Sequence, residues 1–336
     1  MGKGKTMKSL CIAGFGAVCE NAHIPVIKKL NERFLIKGVL DTDEKRRKKA
    51  AELLKANTYS DIDEMLSKES PDSMVITSPP SSHKEIIIKA LDKGIDVLCE
   101  KPLCTNLRDF KEIEREVSKS GKVVYTIHNW VYSPHILKIN DFIKEIGEIR
   151  RINWETLRKK PSVSASSNWR IDPHIAGGGI IFDHGWHVIY IIKSMVNNDF
   201  DDVDAFFVLN ENNIDEIADF RIEYGSVIAD IHLSWRSAIR KNIMTAYGDR
   251  GTLLFDDDRI ILNLENGEKK EHFFDEKLSQ SSAHPLWTEK VYIDFYDSLK
   301  NREKFELNFN QSLECISIIE RAYESFKQRK TKDIYN

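Results

Sequence analysis

In Lys8-Ser9-Leu10-Cys11-Ile12-Ala13-Gly14-Phe15-Gly16 a short apolar run ends in two glycines one residue apart. The run reads as a strand and the glycines as a tight turn, and a helix is expected from there through Leu30. With Cys19 the pattern is Gly14-x-Gly16-x-x-Cys19, a dinucleotide fingerprint whose third glycine is replaced by another small residue. The two glycines let the backbone turn sharply and approach a pyrophosphate. The helix N-terminus then offers unpaired amides and the positive end of its dipole. The plainer alternative is a glycine turn in a sheet protein that binds nothing.

Outward from this turn, strands and helices alternate. Leu35 to Leu40 reads as a second strand ending at Asp41, and 43–55 is charged with a helical period. Ser73 to Ile76 is a third strand, stopped by Ser78-Pro79-Pro80. Ser82 to Lys93 is a helix closed by Gly94. Asp96 to Cys99, Leu107 to Ser120 and Lys122 to Ile127 read as strand, helix and strand. That alternation is the signature of a parallel sheet covered by helices.

Beyond His128 the pattern changes. Stretches 149–154, 204–208, 217–222, 226–235, 242–247 and 252–255 look like half-exposed strands, with turn signals at Tyr224-Gly225 and Asn266-Gly267. Helices are expected near 179–196, 286–300 and 310–328, and Asp256-Asp257-Asp258 as a solvated turn. The predicted fold is α/β: a doubly wound parallel Rossmann domain over residues 1–127, then an α+β domain with a large, open, mostly antiparallel sheet over 128–336.

The chain has 336 residues, long enough for two cores, and 41% are hydrophobic. Its 50 basic and 53 acidic side chains nearly balance, which argues against a general nucleic-acid or membrane-surface partner. No signal peptide and no apolar run of membrane-spanning length are expected, and Met1 to Thr6 reads as a short basic lead. Cys11, Cys19, Cys99, Cys104 and Cys315 are odd in number and include no Cys-x-x-Cys pair. They read as reduced, buried thiols of a cytoplasmic protein.

Three places carry chemistry. Asp41, at the end of the second strand, can accept from both ribose hydroxyls and repel a 2′-phosphate, which favours NAD. Lys45, Arg46 and Arg47 stand close by, as a phosphate-attracting group or a solvated helix face. Lys101, in Glu100-Lys101-Pro102, follows the apolar run Val97-Leu98-Cys99, so strand topology points it toward the ligand crevice of an open sheet. Asp183 and His187, after Gly177-Gly178-Gly179, are four apart and share a face if a helix starts here. An imidazole titrates near neutral pH and can take a hydroxyl proton. The rival readings are a helix cap with a core histidine, or a metal held by His184, His187, Asp183 and His174. Trp154, Trp169, Trp186 and Trp235 offer either sugar-stacking walls or core. Arg236, Arg240 and Lys241 form a basic cluster that either receives an anionic group or is a solvated turn.

The set resembles the Gfo/Idh/MocA family of nicotinamide-dependent oxidoreductases over nearly the whole chain. The matching motifs are Gly14-Phe15-Gly16-Ala17 with His23-Ile24-Pro25, Thr77-Ser78-Pro79-Pro80 with His83, Glu100-Lys101-Pro102, Trp169-Arg170, Gly177-Gly178-Gly179, and Asp183 with His187. The resemblance implies that Lys101 and His187 flank the substrate carbon. His187 would be the base, Asp183 a substrate or relay partner, and Lys101 the charge beside the forming alkoxide. It implies cofactor contacts from Gly14, Phe15, Gly16, Ala17, Val18 and Asp41, from Thr77, Ser78, Pro79 and His83, and from Glu100, Lys101, Asn129, Trp169 and Arg170. Many members carry Asn-x-Arg after the fifth strand, but the arginine position here is Val131. His184 is an added polar group. The expected reaction is hydride transfer between NAD, with NADP second, and a secondary alcohol or ketone of a sugar, inositol or polyol. No resident metal is expected. Copies are expected to pair as a homodimer or homotetramer through the second sheet. A glycosidase-like reaction with transient oxidation and a non-catalytic cofactor sensor are the alternatives.

Overall fold

The computed structural model describes residues 7–161, 169–281 and 283–335, with the side chains of 331–335 left aside. The basic lead 1–6 lies outside the described residues. The chain forms two compact units, residues 1–129 with 283–312, and residues 130–282 with 313–336.

The first unit contains β1 (Lys8–Ala13), α1 (Ile24–Lys29), β2 (Phe34–Leu40), α2 (Glu44–Leu54), β3 (Asn57–Tyr59), α3 (Ile62–Glu69), β4 (Ser73–Ile76), α4 (His83–Asp92), β5 (Asp96–Cys99), α5 (Leu107–Ser120) and β6 (Val124–Thr126). The six parallel strands run in the order β3-β2-β1-β4-β5-β6. This is the doubly wound order, with its switch point between β1 and β4. Strands covered on both faces need uninterrupted apolar side chains. Leu10 to Ala13, Met74 to Ile76 and Val97 to Cys99 are all fully buried.

Beside β6, residues 283–312 join this unit through polar side chains. Asn308 Oδ1 accepts from the Thr126 amide at 2.7 Å, Asn308 Nδ2 donates to the Thr126 carbonyl at 2.9 Å, and Ser312 Oγ donates to Thr126 Oγ1 at 2.7 Å. The edge strand is therefore capped by a side chain in place of another strand.

The second unit contains α6 (Pro134–Phe142), β7 (Ile149–Lys159), α7 (Pro173–Ala176), α8 (Trp186–Lys193), β8 (Asp202–Leu209), β9 (Asp215–Tyr224), β10 (Val227–Ser234), β11 (Arg236–Gly248), β12 (Gly251–Asp256), β13 (Arg259–Leu264) and β14 (Lys269–Phe273). Its eight-stranded sheet has the order β14-β13-β12-β11-β7-β10-β9-β8. Only the β7–β10 pair is parallel. Along β8 burial alternates through Asp202–Phe207, as in a sheet with one face on the core.

Two expectations are corrected here. Asp257 is no solvated turn residue. It is 2% exposed, at φ +61, and accepts from the amides of Asn242 and Ser279 and from the Ser279 hydroxyl. And one helical stretch, Pro173–Lys193, does pass for a membrane span by length and composition. Since 78% of its apolar window is buried inside the protein, it reads as a core helix.

Candidate functional site

In the first unit the glycine turn is strapped to the loop after β4. Gly14 has φ +96, and a Cβ there would stand 2.6 Å from the Ser78 amide nitrogen. Only glycine fits both the conformation and the approach. The Thr77 hydroxyl donates to the Gly14 carbonyl at 2.5 Å, and the Thr77 amide to Ala13 at 2.8 Å. Gly16 is different: a Cβ there would meet nothing within 4 Å. Helix begins at Ala17 and runs, with a π-turn over Cys19–His23, into α1. The turn therefore opens onto space beside the first helical amides, where an anionic group is stabilised.

Asp41 directly follows β2 and is 6% exposed. Its Oδ2 accepts from the Phe15 amide at 2.7 Å and its Oδ1 from the Asp43 amide at 2.9 Å. The carboxylate thus ties the glycine turn to the start of α2. Arg46 reaches to 3.9 Å from Oδ2, and Arg47 Nη1 donates to the carbonyls of Asp41 and Thr42. An open glycine turn, an adjoining helix start and a carboxylate at the end of β2 fit a dinucleotide.

Lys101 follows β5 on a loop held from two sides. The Lys101–Pro102 peptide is cis. Buried His83 sets Nδ1 2.8 Å from the Pro102 carbonyl and Nε2 2.8 Å from the Ser78 carbonyl. Burial lowers its pKa, against both carbonyls. His83 is thus a brace between the loops carrying Thr77-Ser78-Pro79 and Glu100-Lys101. On the other side, Glu100 Oε1 lies 3.0 Å from His23 Nε2, and His23 Nδ1 lies 2.9 Å from the Tyr292 hydroxyl. Burial alone would raise the Glu100 carboxyl. The His23 hydrogen bond and the charges of His23 and Lys101 outweigh it and hold the group below its ordinary value. Lys101 and Asn129 are half-buried.

The second unit assembles the other candidates. Gly177 adopts φ +88, and a Cβ on Gly179 would stand 2.1 Å from the Asp215 carbonyl oxygen. Beneath this turn lies Asp215. Its Oδ1 accepts from the Gly179 amide at 2.7 Å and from the Tyr323 hydroxyl at 2.5 Å, and its Oδ2 from the Ile181 amide at 2.9 Å. The carboxylate caps the next helix, which opens with a π-turn over Ile181–Gly185 before α8. Such turns are common at functional sites.

Asp183 lies in that π-turn. Its Oδ1 is 3.9 Å from Arg170 Nε, and its Oδ2 is 3.5 Å from His184 Nε2. The Arg170 guanidinium covers the Trp169 ring at 4.4 Å. His187 is 7% exposed. Its ring stacks on Trp130, with centroids 4.6 Å apart and planes 17° apart, and its Nδ1 is 2.6 Å from the Tyr190 hydroxyl. Trp154, Trp186 and Trp235 are core, each at most 1% exposed. Among the described residues no three His, Cys, Asp or Glu side chains are set to hold a metal ion.

Thus Gly14 to Val18, Asp41, Thr77 to Pro79, His83, Glu100, Lys101 and Asn129 lie in the first unit. Trp169, Arg170, Asp183 and His187 lie in the second. The motifs do not include Tyr292, Asp215, Tyr323 and Tyr190, and Trp130 enters only as the variable residue between Asn129 and Val131. Each acts through a neighbour distant in sequence or one helical turn away.

Comparison with known proteins agrees with this geometry. Residues 8–128 match the family model described as the oxidoreductase family with an NAD-binding Rossmann fold, GFO_IDH_MocA, and 138–254 match a GFO/IDH/MocA C-terminal domain. The Bacillus subtilis protein YteT is 30% identical over 176 residues, 50% of this chain and 38% of YteT. The scyllo-inositol 2-dehydrogenase (NADP(+)) IolU of the same organism is 25% identical over 139 residues, 40% of this chain and 42% of IolU. The chain thus spans less than half the length of these two relatives. A levoglucosan dehydrogenase solved with NADH and levoglucosan superposes with a TM-score of 0.81 at 17% identity, over 96% of this chain and 98% of that one. The two matched models, the strand order and the glycine turn agree, and the chain belongs to the GFO/IDH/MocA family of NAD(P)-binding oxidoreductases.

Proposed function

We propose that this protein transfers a hydride between nicotinamide and a secondary alcohol or ketone of a sugar, inositol or related polyol. The observation that carries the reading is the geometry of His187. Its ring is fixed by Trp130 and Tyr190, and Nδ1 already faces the Tyr190 hydroxyl. These contacts set the orientation of the imidazole that would take a substrate hydroxyl proton.

The bound nicotinamide would supply the hydride acceptor. Lys101 would hold the reacting oxygen and favour its alkoxide by charge, on a loop that His83 and the His23–Glu100 pair keep in place. Asp183 would orient the substrate. NAD is favoured over NADP, because the Asp41 carboxylate repels a 2′-phosphate. We also propose that copies associate through the outer face of the second sheet. There exposed Phe206 borders a shallow cavity of about 540 Å³ walled by Asp204, Asp230, Arg221 and Arg329. Light scattering tests that association.

The function is tested by titrating the protein with NADH and NADPH fluorescence, then screening sugars, inositols and their phosphates for change at the nicotinamide absorbance band. Reduction of NAD by a polyol supports the reading. NADH binding with inert polyol and sugar panels favours a cofactor sensor.

A further inference from the structure

Among the described residues, a buried cation in the second unit has no carboxylate within ion-pair distance. Arg158, near the end of β7, is 1% exposed. Its Nη1 donates to the carbonyls of Leu157 and Lys241, and its Nη2 to Asn242 Oδ1, each at 2.8 Å. Its Nε is buried without a hydrogen-bond partner among the described residues. All these acceptors are neutral. Burying a charge without an adjacent counter-charge costs several kcal/mol, so the guanidinium needs a use beyond joining two strands.

Arg240 supplies a second cation. The β11–β7 register breaks between Arg236 and Lys241, and Arg240 lies in the break, exposed to solvent. Its Nε donates to the Ser279 carbonyl and its Nη2 to that of Ser281 at 3.1 Å. These bonds aim the guanidinium and leave Nη1 without a hydrogen-bond partner among the described residues. Asn242, Asp257 and Ser279 link the two arginines into one network. The charge of Asp183 acts on both, and Arg170 stands 3.9 Å from Asp183. The carboxylates whose charge acts on Arg158 and Arg240 are Asp183 and Asp257.

We propose that Arg240, backed by the buried charge of Arg158, receives an anionic oxygen group of the substrate. The substrate is then an acidic sugar or polyol, carrying a carboxylate or a phosphate, in place of a neutral one. The inference rests on the oxidoreductase reading above. An anchored guanidinium recognises planar oxyanions through paired N–H donors, and Asp183, whose charge acts on Arg240, would take a hydroxyl of the same molecule.

The test titrates NADH-loaded full-length protein calorimetrically with glucuronate, glucose 6-phosphate and glucose, and assays turnover of acidic, phosphorylated and neutral polyols in parallel. The acid or the phosphate should bind about 10- to 100-fold more tightly than glucose, and whichever does so names the group. Arg240→Gln should erase that preference and raise KM for the anionic substrate with little change in kcat, and Arg240→Lys should restore part of it. Arg158→Lys, which keeps the charge, should retain the preference even where Arg158→Gln fails to fold. Equal binding of anionic and neutral ligands, or a preference that survives Arg240→Gln, overturns the inference and leaves the oxidoreductase reading intact. Failure of that reading would show separately, as absent turnover with every polyol, and the calorimetric preference would still decide the arginine site.

Discussion

Tyr190 sets its hydroxyl 2.6 Å from Nδ1 of His187 and accepts the Trp130 amide on the same oxygen at 3.2 Å. If Nδ1 carries the ring hydrogen and Tyr190 accepts it, that bond sets the tautomer in which His187 can act as a base. Tyr190→Phe keeps the buried ring and removes the acceptor. It should cost about 1–2 kcal/mol of stability, because the Trp130 amide loses its partner. It should also cut kcat about tenfold, read as turnover at the nicotinamide absorbance band. An unchanged kcat would detach Tyr190 from the chemistry.

The two fingerprint glycines should fail in different ways. Gly14→Ala collides with the Ser78 backbone and forces a strained φ, so its melting temperature should drop along with NADH binding. Gly16→Ala meets nothing within 4 Å. It should melt like the wild type and bind NADH at least about tenfold more weakly, through crowding of the pyrophosphate alone. Calorimetric melts with fluorescence titrations separate the two, and normal NADH binding by Gly16→Ala would remove the turn from the cofactor site.

His128 makes stability depend on acid. Burial drives its pKa from 6.5 down to about 3, against the Gln311 hydrogen bond and the charge of Glu100. Between those values the unfolded chain binds a proton that the folded chain does not. Stability should therefore fall as pH drops from 6.5 toward 3, by about 1.4 kcal/mol per pH unit from this residue, with no contribution above 6.5. Urea unfolding at stepped pH should show a flatter acid slope for His128→Asn than for the wild type. His83, shifted in the same direction by burial, keeps the slope from vanishing.

What the chain discloses in one dimension follows from what local chemistry controls. The doubly covered strands were legible because Leu10 to Ala13 and Val97 to Cys99 must be apolar throughout. The three-residue β3 was not, because Asn57-Thr58-Tyr59 is too short for any period. Strand β14 alternates Lys, Glu and His with few apolar marks, and only the Asn266-Gly267 turn hinted at it. Gly14, Lys101, Asp183 and His187 stand in motifs. Their supports do not: Asp215 and Tyr323 cap the triple-glycine turn from distant parts of the chain. The triplet Asp256-Asp257-Asp258 looked solvated because composition cannot reveal that Asn242 and Ser279 enclose its middle member.

We propose that Lys101 and His187 serve one hydride transfer. Turnover of the best polyol substrate, followed at the nicotinamide absorbance band for wild type, Lys101→Ala and His187→Ala, tests it most directly. Each variant should lose about 100-fold or more in kcat and still bind NADH with near-normal affinity. Near-normal turnover in both variants would contradict the account.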